Sequence, residues 1–189
     1  FLKGKWKSEH GKMGWLIIVA TLPAVFAGFF FYDFFERTFS EVGNVVLGFA
    51  ITAVVLVIAS LRFAYKKENI GFVDAFLIGC AQAVAILPSI SRSGLTIAVA
   101  LLLGISEKKS LRFSFLMAIP ALFGAGVLAI GKSTLPSSYI VPTLVSFVSA
   151  LCVIHLLYTL VLRRKENLRW FALYSFILAI ALGFYFLTR

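Results

Sequence analysis

From Met13 to Tyr32 the chain carries no charged residue, and the same holds from Val42 to Leu61. At about 1.5 Å of rise per helical residue, each run is long enough to cross a hydrocarbon layer about 30 Å thick. Nothing inside such a layer can satisfy a bare peptide N–H or C=O, so the chain there is confined to helices or to a closed barrel. The apolar residues are continuous and do not alternate, which selects helices. Similar runs follow at Phe113 to Gly131, Ile140 to Leu162 and Trp170 to Thr188. With 61% hydrophobic residues in 189 and a mean hydropathy of +0.99, the chain has more apolar side chain than a soluble domain of its size can bury. It reads as an all-α, polytopic, single membrane domain over residues 1–189.

The formal net charge of +10 does not indicate nucleic acid, because Lys and Arg fall in short clusters between apolar runs, as in loops that face anionic lipid. Lys3, Lys5, Lys7 and Lys12 precede the first span, Met13 to Phe31; Asp33, Glu36, Arg37 and Glu41 follow it. The positive-inside rule puts the first group in the cytoplasm and the second outside. Three later clusters are also basic: Arg62, Lys66 and Lys67; Lys108, Lys109 and Arg112; Arg163, Arg164, Lys165 and Arg169. Between the first two of these lies Ala75 to Ser106, whose one charge is Arg92. A single crossing there would force one basic loop outside. The spacing therefore predicts a re-entrant helical hairpin over 75–106 that turns at "LPSISRSG" and leaves on the side it entered. Its arms, about 13 and 11 residues long, are too short to span. Five spans and one hairpin satisfy every basic loop.

Non-helical backbone at membrane depth is tolerated only where protein buries it or it lines a watery cavity. A lone arginine there costs at least about 2.5 kcal/mol unless an anionic or polar group receives it. The tip collects Arg92, the hydroxyls of Ser89, Ser91, Ser93 and Thr96, and the amides that open the second arm. Such a set binds phosphate or another anion. The competing reading is that Arg92 snorkels and the hydroxyls satisfy helix carbonyls. Cys80 and Cys152 sit in apolar segments and read as packing residues, not as a disulfide or metal site. His155, alone in its span, reads as a packed, hydrogen-bonded residue. Trp6, Trp15 and Trp170 read as interface anchors. The opening Phe1 to Lys12, without Met or a signal-peptide core, reads as an internal loop of a longer protein.

At "DAFLIGCAQAVAILPSISRSGLTI" the sequence resembles the undecaprenyl pyrophosphate phosphatase family, the bacitracin-resistance proteins. The family's Pro-Gly-x-Ser-Arg-Ser-x-x-Thr is matched by Pro88, Ser89, Ile90, Ser91, Arg92, Ser93, Gly94, Leu95 and Thr96. The stretches "IIVATLPAVFAGFFF", "LRFSFLMAIPALFGAG" and "RWFALYSFILAIALG" are similar to the family as well. The resemblance implies catalytic roles for Arg92, Ser91 and Thr96, and substrate-binding roles for Ser93, Ser89, Gln82 and Gly94. It implies hydrolysis of undecaprenyl diphosphate to the monophosphate carrier of cell-wall synthesis, in the bacterial cytoplasmic membrane, and leaves a homo-oligomer open. The alternative is a polyprenyl-phosphate binding or transport protein without hydrolysis. The resemblance also implies a divalent cation, Mg or Ca, held by an earlier two-glutamate motif that these 189 residues do not include. No metal ligand is therefore assigned in this chain, and alone it is expected to be inactive. The expected whole is a hairpin and three spans, repeated with inverted orientation, with the first hairpin and first span lying before Phe1. One departure stands at Ser89, where the family has glycine: a β-carbon there disfavours positive φ.

Overall fold

The computed structural model describes residues 9–39, 42–61, 67, 69–132, 139–161 and 168–188. Among them the regular structure is helical: α1 (Glu9–Phe30), α2 (Tyr32–Phe39), α3 (Val42–Leu61), α4 (Phe72–Val84), α5 (Arg92–Leu102), α6 (Glu107–Lys132), α7 (Ile140–Val161) and α8 (Leu168–Leu187). Among the described residues, four helices contain stretches long and apolar enough to cross a membrane: Gly11–Phe30, Gly43–Leu61, Glu107–Val127 and Arg169–Leu187. The fifth expected span corresponds to α7, an uncharged helix of 22 residues. The basic residues Lys3, Lys5, Lys7, Arg62, Lys66, Arg163, Arg164 and Lys165, together with Trp6, Glu41 and Glu166, lie outside the described residues.

Several stretches expected as loops are helical, among them Glu9 to Lys12, which opens α1. Asp33 to Phe39 belongs to α2, and the bonds from Phe31 N–H to the Ala27 carbonyl (2.9 Å) and from Phe35 N–H to the Phe31 carbonyl (3.0 Å) carry the helical pattern across the bend at Phe31. Asp33 in its first turn and Arg37 in its last both suit the helix dipole. A further case is Glu107 to Arg112, which forms the first turns of α6. Glu107 again suits an N-terminus, while Lys108 and Arg112, four residues apart, are exposed and Ser110 and Leu111 are buried. Charge alone had marked these residues as loop. The helical period lets one face stay wet while the other packs.

The hairpin sits among the long helices. α4 packs on α1, α5 packs on α3 and α6, α6 also touches α1, and α8 lies along α3. Lipid tails are as apolar as leucine, so close contact must hold such helices together more than exclusion from water does. Small residues permit it. A β-carbon at Gly79 would overlap the Ala20 carbonyl, so glycine lets α4 lie directly on α1. Ala20 and Ala75 are fully buried in one cluster with Phe113 and Met117, and Ala98 is fully buried in a second with Leu56 and Leu111. Outward-facing Phe29, Phe30, Phe123 and Phe184 remain exposed, which in a membrane places them against hydrocarbon.

At the base of the hairpin the chain closes on itself. Lys67 N–H donates to the Gly104 carbonyl (2.6 Å) and Ser106 N–H to the Lys67 carbonyl (3.3 Å). Gly104 adopts φ 85, which glycine reaches without strain. Asp74 accepts from Gly71 N–H (2.9 Å) and from Lys67 Nζ (3.1 Å), capping α4 beside the same closure. The arms are 13 and 11 residues long, as expected, but each begins a few residues earlier than the expected run: 72–84 and 92–102.

Candidate anion site at the hairpin tip

α4 ends by tightening. Ile86 N–H reaches the Ala83 carbonyl (3.2 Å) and Leu87 N–H the Val84 carbonyl (3.1 Å), so the chain closes into short turns before Pro88, which cannot donate and ends the helix. Ser89 then takes φ 63, the left-handed region, and is the one non-glycine residue there among the described residues. The glycine of the family pattern thus falls where the backbone asks for glycine, and this chain has serine. The tip rests on α3 at Gly48, where a β-carbon would overlap the Pro88 carbonyl and press on Ser89. Gly48 lies six residues into α3, about 9 Å from its Val42 end. The tip is therefore nearer the α2 end of α3 than the end that leads to Lys67.

Ser91 is the N-cap of α5: its Oγ accepts from Gly94 N–H at 3.1 Å. A β-carbon at Gly94 would press on that oxygen at 2.8 Å. The Ser91 amide donates to Thr52 Oγ1 at 3.1 Å, and Leu95 N–H to the Ser91 carbonyl at 2.8 Å. Two adjacent amides of the first turn, those of Arg92 and Ser93, have no partner among the described residues. They point along the positive end of α5, where orphan N–H groups receive anions. Arg92 is half-buried, and its guanidinium makes no hydrogen bond or ion pair among the described residues.

The expected site residues are not all equivalent. Ser89, Ser91, Ser93 and Gly94 line a cavity of about 400 Å³, walled by Phe49, Leu56, Phe115 and Tyr174 among others. Arg92, Thr96 and Gln82 are not on its lining. Thr96 is buried and fixes α5 to α6: its Oγ1 donates to the Arg92 carbonyl (2.8 Å) and lies 2.6 Å from Ser114 Oγ. Gln82, 2% exposed, is buried in α4 with neither side-chain polar atom paired. On the other side of the tip a second cavity, about 510 Å³, lies between Pro88 and Ile90 and the residues Arg37, Thr38 and Asn44.

Sequence reasoning missed Gly48, Thr52 and Ser114. Gly48 and Thr52 stand four apart in "GFAIT", the small-x-x-x-small spacing that marks close helix contacts in membranes. That pattern was the available signal. Among the described residues no group of three or more His, Cys, Asp or Glu side chains could hold a metal ion. Asp74 is engaged at the hairpin base. The tip offers N–H groups, hydroxyls and a guanidinium, which suit an anion and do not form a cation's cage.

Over residues 1–181 the chain matches the family described as Bacitracin resistance protein BacA. It is similar to the curated undecaprenyl-diphosphatase of Methanococcus vannielii, 37% identical over 171 residues that cover 89% of this chain and 68% of the relative. The undecaprenyl-diphosphatase of Thermosipho africanus is 38% identical over 183 residues, 95% of this chain and 73% of that protein. That of Carboxydothermus hydrogenoformans is 37% identical over 185 residues, 93% and 71% respectively.

Proposed function

The chain belongs to the bacitracin resistance protein BacA family, and from that premise we infer that it works as a membrane undecaprenyl-diphosphatase. The reaction hydrolyses undecaprenyl diphosphate to undecaprenyl phosphate and inorganic phosphate, returning the lipid carrier to cell-wall synthesis. One observation carries the reading of the site. The start of α5 brings together Ser91, Ser93, two amides and an arginine side chain that have no partner among the described residues, beside an apolar-walled cavity. An anionic head on an apolar tail is the ligand that such a place suits.

In this reading the Ser91 hydroxyl, whose oxygen already accepts from Gly94 N–H, gives its proton to a phosphate oxygen. Ser93 and the amides of Arg92 and Ser93 serve further oxygens. Arg92 supplies the fork that can hold two oxygens at once, and Thr96 fixes the first turn from behind through Ser114. Donors placed where charge develops on the phosphates lower the barrier to breaking the anhydride bond. A divalent cation would add to that neutralisation. The described residues give it no cage, so the chemistry assigned to them is anion binding. The site opens in the cytoplasmic membrane, with the hairpin base on the cytoplasmic side and the tip nearer the outer one.

The test uses the full-length protein in proteoliposomes, with phosphate release measured on undecaprenyl diphosphate beside transbilayer movement of undecaprenyl phosphate. Hydrolysis that Arg92→Ala cuts roughly a hundredfold is expected. Transbilayer movement without phosphate release would establish the transport reading instead.

A further inference from the structure

We propose that Thr52 of α3 is a positioning residue for the phosphate-binding tip, an inference that rests on the phosphatase reading given above. Threonines in these helices mostly return their hydroxyl to their own backbone. Thr21 bonds the Ile17 carbonyl, Thr143 that of Tyr139 and Thr159 that of His155. Thr52 does the same toward Gly48, at 2.9 Å. It then does one thing more. Because its proton is committed to Gly48, its lone pair faces away from its own helix and accepts the Ser91 amide, 39 residues along the chain, at 3.1 Å. The side chain is 1% exposed, so water has little access to replace that acceptor.

The consequence lies in the count of amides. Ser91 N–H is bound to Thr52 and Gly94 N–H to Ser91 Oγ, which leaves Arg92 and Ser93 N–H as the adjacent pair without a partner among the described residues. Thr52 thereby fixes which two donors meet the anion and the angle at which α5 presents them. Gly48 supplies the matching recess, since any side chain there would displace Pro88 and Ser89. Without the hydroxyl, the Ser91 amide becomes a third unpaired donor and the turn can rotate about it. Preorganisation is lost although every group that touches phosphate is kept.

Thr52→Val keeps the shape and removes the acceptor; Thr52→Ser keeps the hydroxyl. In the full-length protein, the valine variant should lose about tenfold or more in kcat with KM changed less than about twofold. Amide exchange in the tip peptide spanning residues 87–95 should quicken in the same variant. The serine variant should restore both. If the valine variant is not recovered folded, Thr52→Ala is read the same way. Native kcat and native tip exchange without the hydroxyl would overturn the proposal, as would a serine variant as impaired as the valine one. A wild-type protein that releases no phosphate would sink the phosphatase reading alone. The exchange comparison would then still decide whether Thr52 holds the tip.

Discussion

Replacing Ser89 by glycine should stabilise this protein. Ser89 sits at φ 63, where a β-carbon crowds the following carbonyl at a cost of about 1–2 kcal/mol. Glycine removes that cost but gains freedom in the unfolded chain, which takes back about 0.5–1 kcal/mol. The Ser89 β-carbon also lies close to α3 at Gly48, and a smaller residue relaxes that contact without opening a large void. A net gain of about 0.5–1 kcal/mol corresponds to a rise of about 1–4 °C in thermal midpoint for a chain of this size. The assay is thermal unfolding in one detergent, with Ser89→Ala as the control: alanine loses the hydroxyl but keeps the β-carbon, so its midpoint should stay within about 1 °C of wild type. A midpoint lowered by glycine, or raised equally by alanine, would refute the argument that backbone strain is stored at this turn.

Arg92→Lys and Arg92→Ala should both cut turnover roughly a hundredfold, equivalent to about 3 kcal/mol, because lysine cannot reproduce the bidentate fork; near-native turnover in the lysine variant would reduce Arg92 to a structural charge. Gly48→Ala should lower both the thermal midpoint and turnover, since overpacking a close contact typically costs about 1–3 kcal/mol, and an unchanged midpoint would contradict the recess described at the tip. In a background with Cys80 and Cys152 replaced by alanine, Lys108→Cys should resist an impermeant thiol reagent in intact cells while Asp33→Cys reacts, and labelling of Lys108→Cys would reverse the assigned orientation.

The hairpin was legible because its evidence is local and compositional. Two apolar arms, a proline and a lone arginine lie within one short stretch, and the sign of the flanking loops leaves few ways to thread them. The clamp residues at the tip were named from the chemistry of the same short stretch. What the sequence did not disclose are relations across the chain. Thr52 reads as an ordinary helix threonine until the Ser91 amide is seen on it, and Ser114 until Thr96 meets it. Thr96 was expected to support the tip, and its hydroxyl bonds the Arg92 carbonyl and meets Ser114. The helical starts at Tyr32 and Glu107 were hidden because charge was used to mark loops, whereas a helix entering an interface can carry charge on one face. Ser89 is the converse case: the glycine of the family pattern pointed to a special backbone before the angle was known.

The closure between Lys67 and Gly104 bears on how the chain acquires its sidedness. Neither arm of the hairpin is long enough to be laid across a bilayer by itself, and the two ends of the loop are hydrogen-bonded to one another. The number of crossings before and after it is therefore the same whether the hairpin is counted or not. Insertion can assign α3 and α6 their opposite directions from hydrophobic length and flanking charge alone, leaving the segment between them to fold inward afterwards against helices already in place. Residues could be added to or removed from its arms without turning any later segment to the other side of the membrane. The depth of the tip is set separately, by its seat on α3 at Gly48 and Thr52.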